Sequence, residues 1–536
     1  HTVLHALLDL LNSNPEYTKE IILLINYIAA GGGANSMEIH SALVTTLVNV
    51  YIQPRLRDVP MSVSSATTMA EAQSNVIQVS LLAEGLGLFS LAVGGQNFSR
   101  SLLRCLYFLL ECAGSPLHPL ACAGLSAVQN VARACVGGGV TELVCANVDY
   151  LSHHITLRLR RANHNPGVLS VLSVVMRHTS IQVLPSLHEI VEDVLVQSCD
   201  EFQESNANGF LRVFLTFLTC LRRWQGGSKG EDSCEEPQQS KTILEQLLEY
   251  KRCLEVAENL EDDELLEEEI NEKIFTSEQS RSEEEPPEEE ESKLKKVKPS
   301  VMLAVAVLER SLHFLPSKDE QRQILVLDIL TEGVLVLRSE EDHLLPIVHK
   351  IWSPLVRRFQ VSETRPLVIH RAFVLLSTLG NTARDFIRSR TLKQVLPSLC
   401  KILQDSASQS LLKDSGSAYR LTQLYKLQRT LLDGLGQLAL DLSVQERQIY
   451  DILEAAKEYL SVRQPAPLQE LCQSLYRQLA FVHRDLVWLQ LSSVWSPVSE
   501  LRHPSSEFCL IKLDTCCSET SEFKRNVSEL LQAIDG

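Results

Sequence analysis

The chain repeats itself, and this self-similarity limits the fold more than any single segment, because a unit of one helical hairpin cannot bury its apolar face alone. Val183-Leu184-Pro185-Ser186-Leu187-His188-Glu189-Ile190-Val191-Glu192-Asp193 aligns without a gap on Val395-Leu396-Pro397-Ser398-Leu399-Cys400-Lys401-Ile402-Leu403-Gln404-Asp405. Leu344-Leu345-Pro346-Ile347-Val348-His349-Lys350-Ile351-Trp352 is a further copy. In each, apolar residues fall at relative positions 1, 2, 5, 8 and 9, one face of a helix with a period of 3.6. The proline is expected near the helix start, where its missing N–H costs little.

A second kind of helix follows these. Pro366 opens a stripe of Val368, Ala372, Leu375, Leu376 and Leu379, with Gly380 as its expected end. Leu421, Leu424, Leu427, Leu431 and Leu432 lead into Gly434-Leu435-Gly436-Gln437-Leu438-Ala439, and Gly85-Leu86-Gly87-Leu88-Phe89 is expected to close the run from Val76 in the same way. A Leu-Leu-Pro first helix and a second helix ending in Leu-Gly-x-Leu-Ala resemble the HEAT repeat. The expected fold is all-α, a HEAT-repeat-like α-solenoid of stacked antiparallel helical hairpins.

Charge divides the chain. Residues 255–291 hold eighteen acidic side chains against Lys273 and Arg281, so this tract accounts for nearly all of the net charge of −17. Its Glu-Glu-Glu-Pro-Pro-Glu-Glu-Glu-Glu core, residues 283–291, has nothing apolar to offset chain entropy. The expected organisation is a first solenoid block at 1–250, an acidic, largely disordered insertion at 251–300 and a second block at 301–536. A nearly neutral body with one acidic tract lacks the basic footprint of a nucleic-acid binder. Nor does the sequence show an uninterrupted apolar stretch of about 20 residues that would span a bilayer. Without a charged-then-apolar leader, the chain is expected to be cytoplasmic, with the nucleus as a second compartment, and to be the C-terminal part of a longer protein.

Chemistry is sparse. The fourteen cysteines include no C-x-x-C pair, so they are read as small core residues in a reduced compartment, not as metal ligands. His483-Arg484-Asp485-Leu486 imitates a kinase catalytic loop, but Gln490 stands where its asparagine belongs and no glycine-rich loop accompanies it. Gly85-Leu86-Gly87 has Ser90 in place of the third glycine of a dinucleotide loop. Gly137-Gly138-Gly139 lacks the lysine that would cradle phosphates and is read as a turn. The adjacent His153 and His154 point about 100° apart on a helix, a poor chelating pair. No catalytic residue, metal site or cofactor is expected. Ser280 and Ser282 each have a glutamate three residues on, which suits an acid-directed kinase, and phosphorylation would let the tract engage an arginine-rich pocket. Trp488, Trp495 and Phe508 are the candidate partner anchors, since interface hot spots favour large aromatics.

The run from Leu344 through Trp352 to Ser353-Pro354-Leu355-Val356-Arg357-Arg358-Phe359, with Phe386-Ile387-Arg388-Ser389-Arg390 leading into Val395-Leu396-Pro397 and the acidic insertion upstream, goes beyond a generic repeat. It resembles the C-terminal half of the Tel-two-interacting protein one family, scaffold of the Triple T co-chaperone complex. The resemblance implies a scaffold for the two other Triple T subunits, themselves helical-repeat proteins. It further implies work with the ninety-kilodalton heat-shock chaperone and a RuvB-like ATPase co-chaperone on phosphatidylinositol-3-kinase-related kinases as clients, in nutrient and DNA-damage signalling. The alternative is a HEAT-repeat nuclear transport receptor, which would bind a small GTPase and cargo.

Overall fold

A computed structural model describes residues 2–31, 37–162, 165, 167–179, 183–199, 206–226, 298–360, 365–411, 418–502 and 512–535. Among them are 22 α-helices and one short antiparallel ribbon. Up to residue 226 the helices are α1 Thr2–Ser13, α2 Thr18–Gly31, α3 Met37–Tyr51, α4 Pro54–Arg57, α5 Met69–Val93, α6 Gly95–Ala113, α7 His118–Cys135, α8 Val140–Ala146, α9 Val148–Leu159, α10 Gly167–Arg177, α11 Leu184–Ser198 and α12 Ala207–Gly226. From residue 299 they are α13 Pro299–Leu312, α14 Glu320–Val336, α15 Glu341–Gln360, α16 Pro366–Gln394, α17 Leu396–Ser410, α18 Gln423–Asp441, α19 Glu446–Ala456, α20 Ala466–Val482, α21 Arg484–Val494 and α22 Lys524–Asp535. The ribbon pairs β1, Glu500–Arg502, with β2, Lys512–Asp514.

Local signals start many of these helices. Thr68 and Glu71 form a full capping box at α5, while Asp319 and Thr422 cap α14 and α18 through backbone N–H groups at 2.9 Å and 3.2 Å. Pro185, Pro366 and Pro397 stand in first turns, as expected. Pro346 does not: α15 begins at Glu341, so Pro346 and Pro354 both lie inside it. The acidic first turn of Glu341 and Asp342 favours an earlier start through the helix dipole.

The glycines expected to end the second helices lie inside them. Gly85 and Gly87 are interior to α5, Gly434 and Gly436 to α18, and Gly380 to α16, which continues to Gln394 through a kink at Arg384. They are points of close approach between helices. A Cβ on Gly87 would stand 2.7 Å from Ala127 Cα on α7, and one on Gly434 would stand 2.6 Å from Phe373 Cε1 on α16. Gly137 does fill the expected turn role, at φ 68° between α7 and α8.

The helices stack in two layers. In one, α3, α6 and α10 continue through α12 to α14, α16, α18, α20 and α22; the Cys220 thiol on α12 donates to the Met176 carbonyl at 3.3 Å, and Arg222 pairs with Glu332 of α14 at 3.1 Å. In the other, α9 is followed by α11, α13, α15, α17, α19 and α21, while α2, α5 and α7 pack side by side in the first half. Residues 1–225 and 298–536 thus form one compact unit. The two stretches are tied by the Arg310 guanidinium, which donates to Ser198 Oγ at 3.2 Å, and by His188 against the Pro299 carbonyl. Between the layers runs a core of leucine, valine and phenylalanine, including Phe89, Phe210, Phe214, Leu330, Leu376 and Leu431, all fully buried; each such side chain contributes about 1.5–3 kcal/mol.

One helix is apolar over most of its length, with Glu71 and Glu84 interrupting it. The helix α5 is by length and composition long and apolar enough to cross a membrane. In the fold Val79, Leu82, Ala83, Leu86 and Phe89 face the core at 2% exposure or less, and α2, α6 and α7 pack around them. It is the central helix of the first half of the array.

Candidate functional site

The region from α16 to α22 holds several buried polar networks. Between α17 and α18 the fully buried Gln428 donates from Nε2 to the Ser406 carbonyl at 2.8 Å and to Tyr459 Oη at 3.1 Å, and accepts from the Tyr419 hydroxyl at 2.8 Å. Tyr459 in turn donates to the Leu403 carbonyl, and Ser410 donates to Gln464 Oε1 at 2.6 Å. Leucine alone would let these helices slide; the satisfied network fixes one register.

At the C-terminal end α22 closes the stack. Asn526 donates to the Leu460 carbonyl at 2.7 Å and to Gln469 Oε1 at 2.8 Å, and Gln473 donates to Asn526 Oδ1 at 3.0 Å. Val527, Leu530, Leu531 and Ile534 point inward while Arg525 and Gln532 face out, the polar outer surface that a terminal repeat needs. Trp495 belongs to this closure. It is 5% exposed, its Nε1 donates to the Ser518 carbonyl at 3.0 Å, and Lys524 lies over its ring. It is a core residue, not an exposed anchor. Trp488, on α21, is partly buried against the core. Phe508, Ser280, Ser282 and the whole acidic tract lie outside the described residues.

The exposed side chains are different ones. Phe481 at the end of α20 is 86% exposed and Leu421 before α18 is 80% exposed. Tyr450 on α19 is 48% exposed and borders a cleft of about 290 Å³ between α17 and α19. Leu392, Leu396, Pro397 and Cys400 are its apolar lining; Asp451 and Glu454 are its acidic lining. Gln490 Nε2 donates to Glu454 Oε2 at 3.5 Å, and Lys457 pairs with Glu454 Oε1 at 3.4 Å. Burial pushes the Cys400 thiol up to about 12, with the Asp451 charge adding to the rise, so the thiol stays protonated and unreactive. Periodicity marks which positions of α19 are buried, but only the stacked partner helix shows that the outward ones border a cleft.

The motifs weighed for catalysis resolve into packing. His483 links α20 to α21 and faces Glu446 at 3.8 Å, while the Arg484 guanidinium donates to the Ile534 carbonyl and ties α21 to α22. His154 meets the Tyr150 ring and Arg158 Nη1. Among the described residues no group of three or more His, Cys, Asp or Glu side chains is placed to hold a metal.

Residues 213–488, from α12 into α21, match the family model described as the TTI1 C-terminal TPR domain, and residues 106–195 match the model for TELO2-interacting protein 1. The human TELO2-interacting protein 1 homolog is 32% identical over 442 residues, 78% of this chain. The chain belongs to the TELO2-interacting protein 1 family. The mouse homolog is likewise 32% identical over 435 residues. In both, the matched region is 39% of the relative, so the chain corresponds to about two fifths of their length. For this TELO2-interacting protein 1 family member, the C-terminal family model names TPR repeats where the sequence pattern resembles HEAT; stacked two-helix units are common to both. Among solved structures, an engineered protein covers 99% of this chain and 99% of its own at a TM-score of 0.42 and 12% identity. Importin beta covers 98% of this chain and 57% of its own at 0.39 and 11% identity.

Proposed function

We propose that this family member is a non-enzymatic scaffold that binds TELO2 and a further helical-repeat subunit, together forming the Triple T co-chaperone complex. The match over 78% of the chain to proteins named for interaction with TELO2 carries this reading. The two-layer array supports it physically, since each hairpin adds a strip of surface and buried networks such as that around Gln428 keep the strips in register. In this reading the complex supports maturation and stability of phosphatidylinositol-3-kinase-related kinases, with the heat-shock chaperone and the RuvB-like ATPase acting through it, in cytoplasm and nucleus. Ser280 and Ser282 are proposed as sites for an acid-directed kinase, which phosphopeptide analysis of the chain from cells tests directly.

Affinity purification of the chain from cells, a salt wash, and mass spectrometry of what remains bound tests the reading. Stoichiometric TELO2 and a second helical-repeat subunit are the expected result. Recovery of a small GTPase and cargo without TELO2 would overturn it in favour of a transport receptor.

A further inference from the structure

Cys516 and Cys517 are neighbours in the chain, and both thiols are free and exposed. The other exposed cysteines among the described residues, Cys122 and Cys199, have no cysteine beside them in sequence. The pair lies between β2 and α22, on a stretch whose backbone belongs to the C-terminal closure. The N–H of Ser496, a residue 2% exposed, donates to the Cys516 carbonyl at 2.9 Å. On either side of the pair, the Thr515 N–H donates to the Ser499 carbonyl at 3.1 Å and the Ser518 carbonyl accepts from Trp495 Nε1 at 3.0 Å. Glu522 continues the attachment, its carbonyl accepting from the Val462 N–H at 3.0 Å and its carboxylate from the Ser461 hydroxyl at 2.9 Å. The route from the two thiols to α22 is thus tied down at several points.

We propose that this pair is a redox modification site: a small disulfide such as glutathione disulfide oxidises it to a vicinal disulfide, and closing that ring loosens the seat of Trp495 and α22. One cysteine, as its thiolate, attacks a sulfur of the small disulfide and expels one glutathione thiolate, which takes up the proton released. The neighbouring thiol then attacks the mixed disulfide, loses its proton in the same way and expels the second glutathione. Two cysteine thiols are oxidised to one S–S bond, and one glutathione disulfide is reduced to two thiols. The second step is fast relative to a fresh encounter because the attacking thiol is already held one residue away. Geometry makes the bond reversible. Cα atoms of successive residues stand about 3.8 Å apart, where a disulfide usually spans about 4.4–6.8 Å. Closure therefore strains and turns the peptide between the two residues, and a strained, exposed disulfide is readily reduced again. That same peptide carries the Cys516 carbonyl, so turning it withdraws the acceptor from the buried Ser496 N–H. A buried donor left unpaired favours opening of its surroundings, which here are the Trp495 seat and the helix it closes.

The test treats the full chain with an excess of glutathione disulfide, blocks remaining thiols with N-ethylmaleimide and maps the peptides by mass spectrometry. Hydrogen exchange is followed on the same samples. The tryptic peptide from Leu513 to Lys524 should be recovered unalkylated, free of glutathione and lighter than the dithiol by two hydrogens. Amides at 495–499 and in α22 should then exchange at least about tenfold faster than in the reduced chain, with α16 and α18 unchanged. Dithiothreitol should reverse both changes. Cys516→Ser, which cannot close the ring, should carry a glutathione adduct on Cys517 and show no faster exchange in α22; unchanged exchange elsewhere in the array shows that the variant folds. The site is overturned if the parent pair stays a dithiol, carries glutathione on either sulfur as its end state, or bonds to any other cysteine. Closure of the ring with α22 exchange unaltered overturns the coupling, and with it the switch.

Discussion

Gly87→Ala separates two physical effects of opposite sign. Alanine is the better helix former by about 1 kcal/mol in a helix interior, so local propensity alone says that the variant is more stable. The stacking says otherwise. The new Cβ would stand 2.7 Å from Ala127 Cα and 3.1 Å from Ala127 Cβ, where carbon atoms in contact sit about 3.5–4.0 Å apart. The obstacle is backbone, which no rotamer change moves aside, so α5 and α7 must separate by about 1 Å at their crossing. Overpacking of this kind costs about 1–3 kcal/mol, and with the propensity gain of about 1 kcal/mol subtracted a net loss of up to about 2 kcal/mol is expected. Gly380→Ala is the internal control, because its Cβ meets only the end of the Leu438 side chain, which can rotate. That variant is expected to be neutral or stabilised by up to about 1 kcal/mol. Hydrogen exchange followed peptide by peptide is the suitable assay, since a repeat array opens locally. Amides of α5 and α7 should exchange faster in Gly87→Ala, by up to about 30-fold, with α16 and α18 unaffected. Slower exchange across α5 in that variant would refute the close-approach account of these glycines.

Further outcomes follow from other parts of the array. Burial raises the Glu111 carboxyl above its ordinary range, against the pull of Arg57 and Arg158. The raised folded-state value means that the protonated form favours folding, a contribution fully present below the unfolded value and lost as pH rises through the folded one; melting of Glu111→Gln should therefore improve relative to the parent between acidic and neutral pH, and a relative loss would contradict the burial argument. Alkylation at pH 8 should label the exposed Cys122, Cys199, Cys516 and Cys517 first, while Cys105, with its thiol pushed up to about 12, and the fully buried Cys472 wait for unfolding; peptide mapping of the label reads this out. Trp495→Phe keeps an aromatic ring, though a smaller one, and removes the hydrogen bond to Ser518. It should cost about 1 kcal/mol and speed exchange in α22 before any other helix.

Sequence periodicity carried the architecture because helix stacking is written in it. The Val/Leu-Leu-Pro copies at 183, 344 and 395 fall on helices α11, α15 and α17 of one layer, and the 3.6-residue stripe of α16 is the stripe that is buried. Glycine was harder to place, since the same residue that ends an isolated helix also allows two stacked helices to touch, and only the neighbour decides; Gly87 against Ala127 is the example. The anchors were harder still. Trp495 and Tyr450 both look like aromatic residues near polar ones in sequence, yet one lies under the C-terminal helix and the other at a cleft rim. That difference depends on which helices lie alongside, which no local pattern contains.

The central claim, that this chain works by holding a protein partner, is tested most directly by sedimentation of the purified chain mixed with purified TELO2. A single faster-moving species at one-to-one stoichiometry, stable at micromolar concentration, is the expected result. Two species sedimenting independently at every ratio would contradict it.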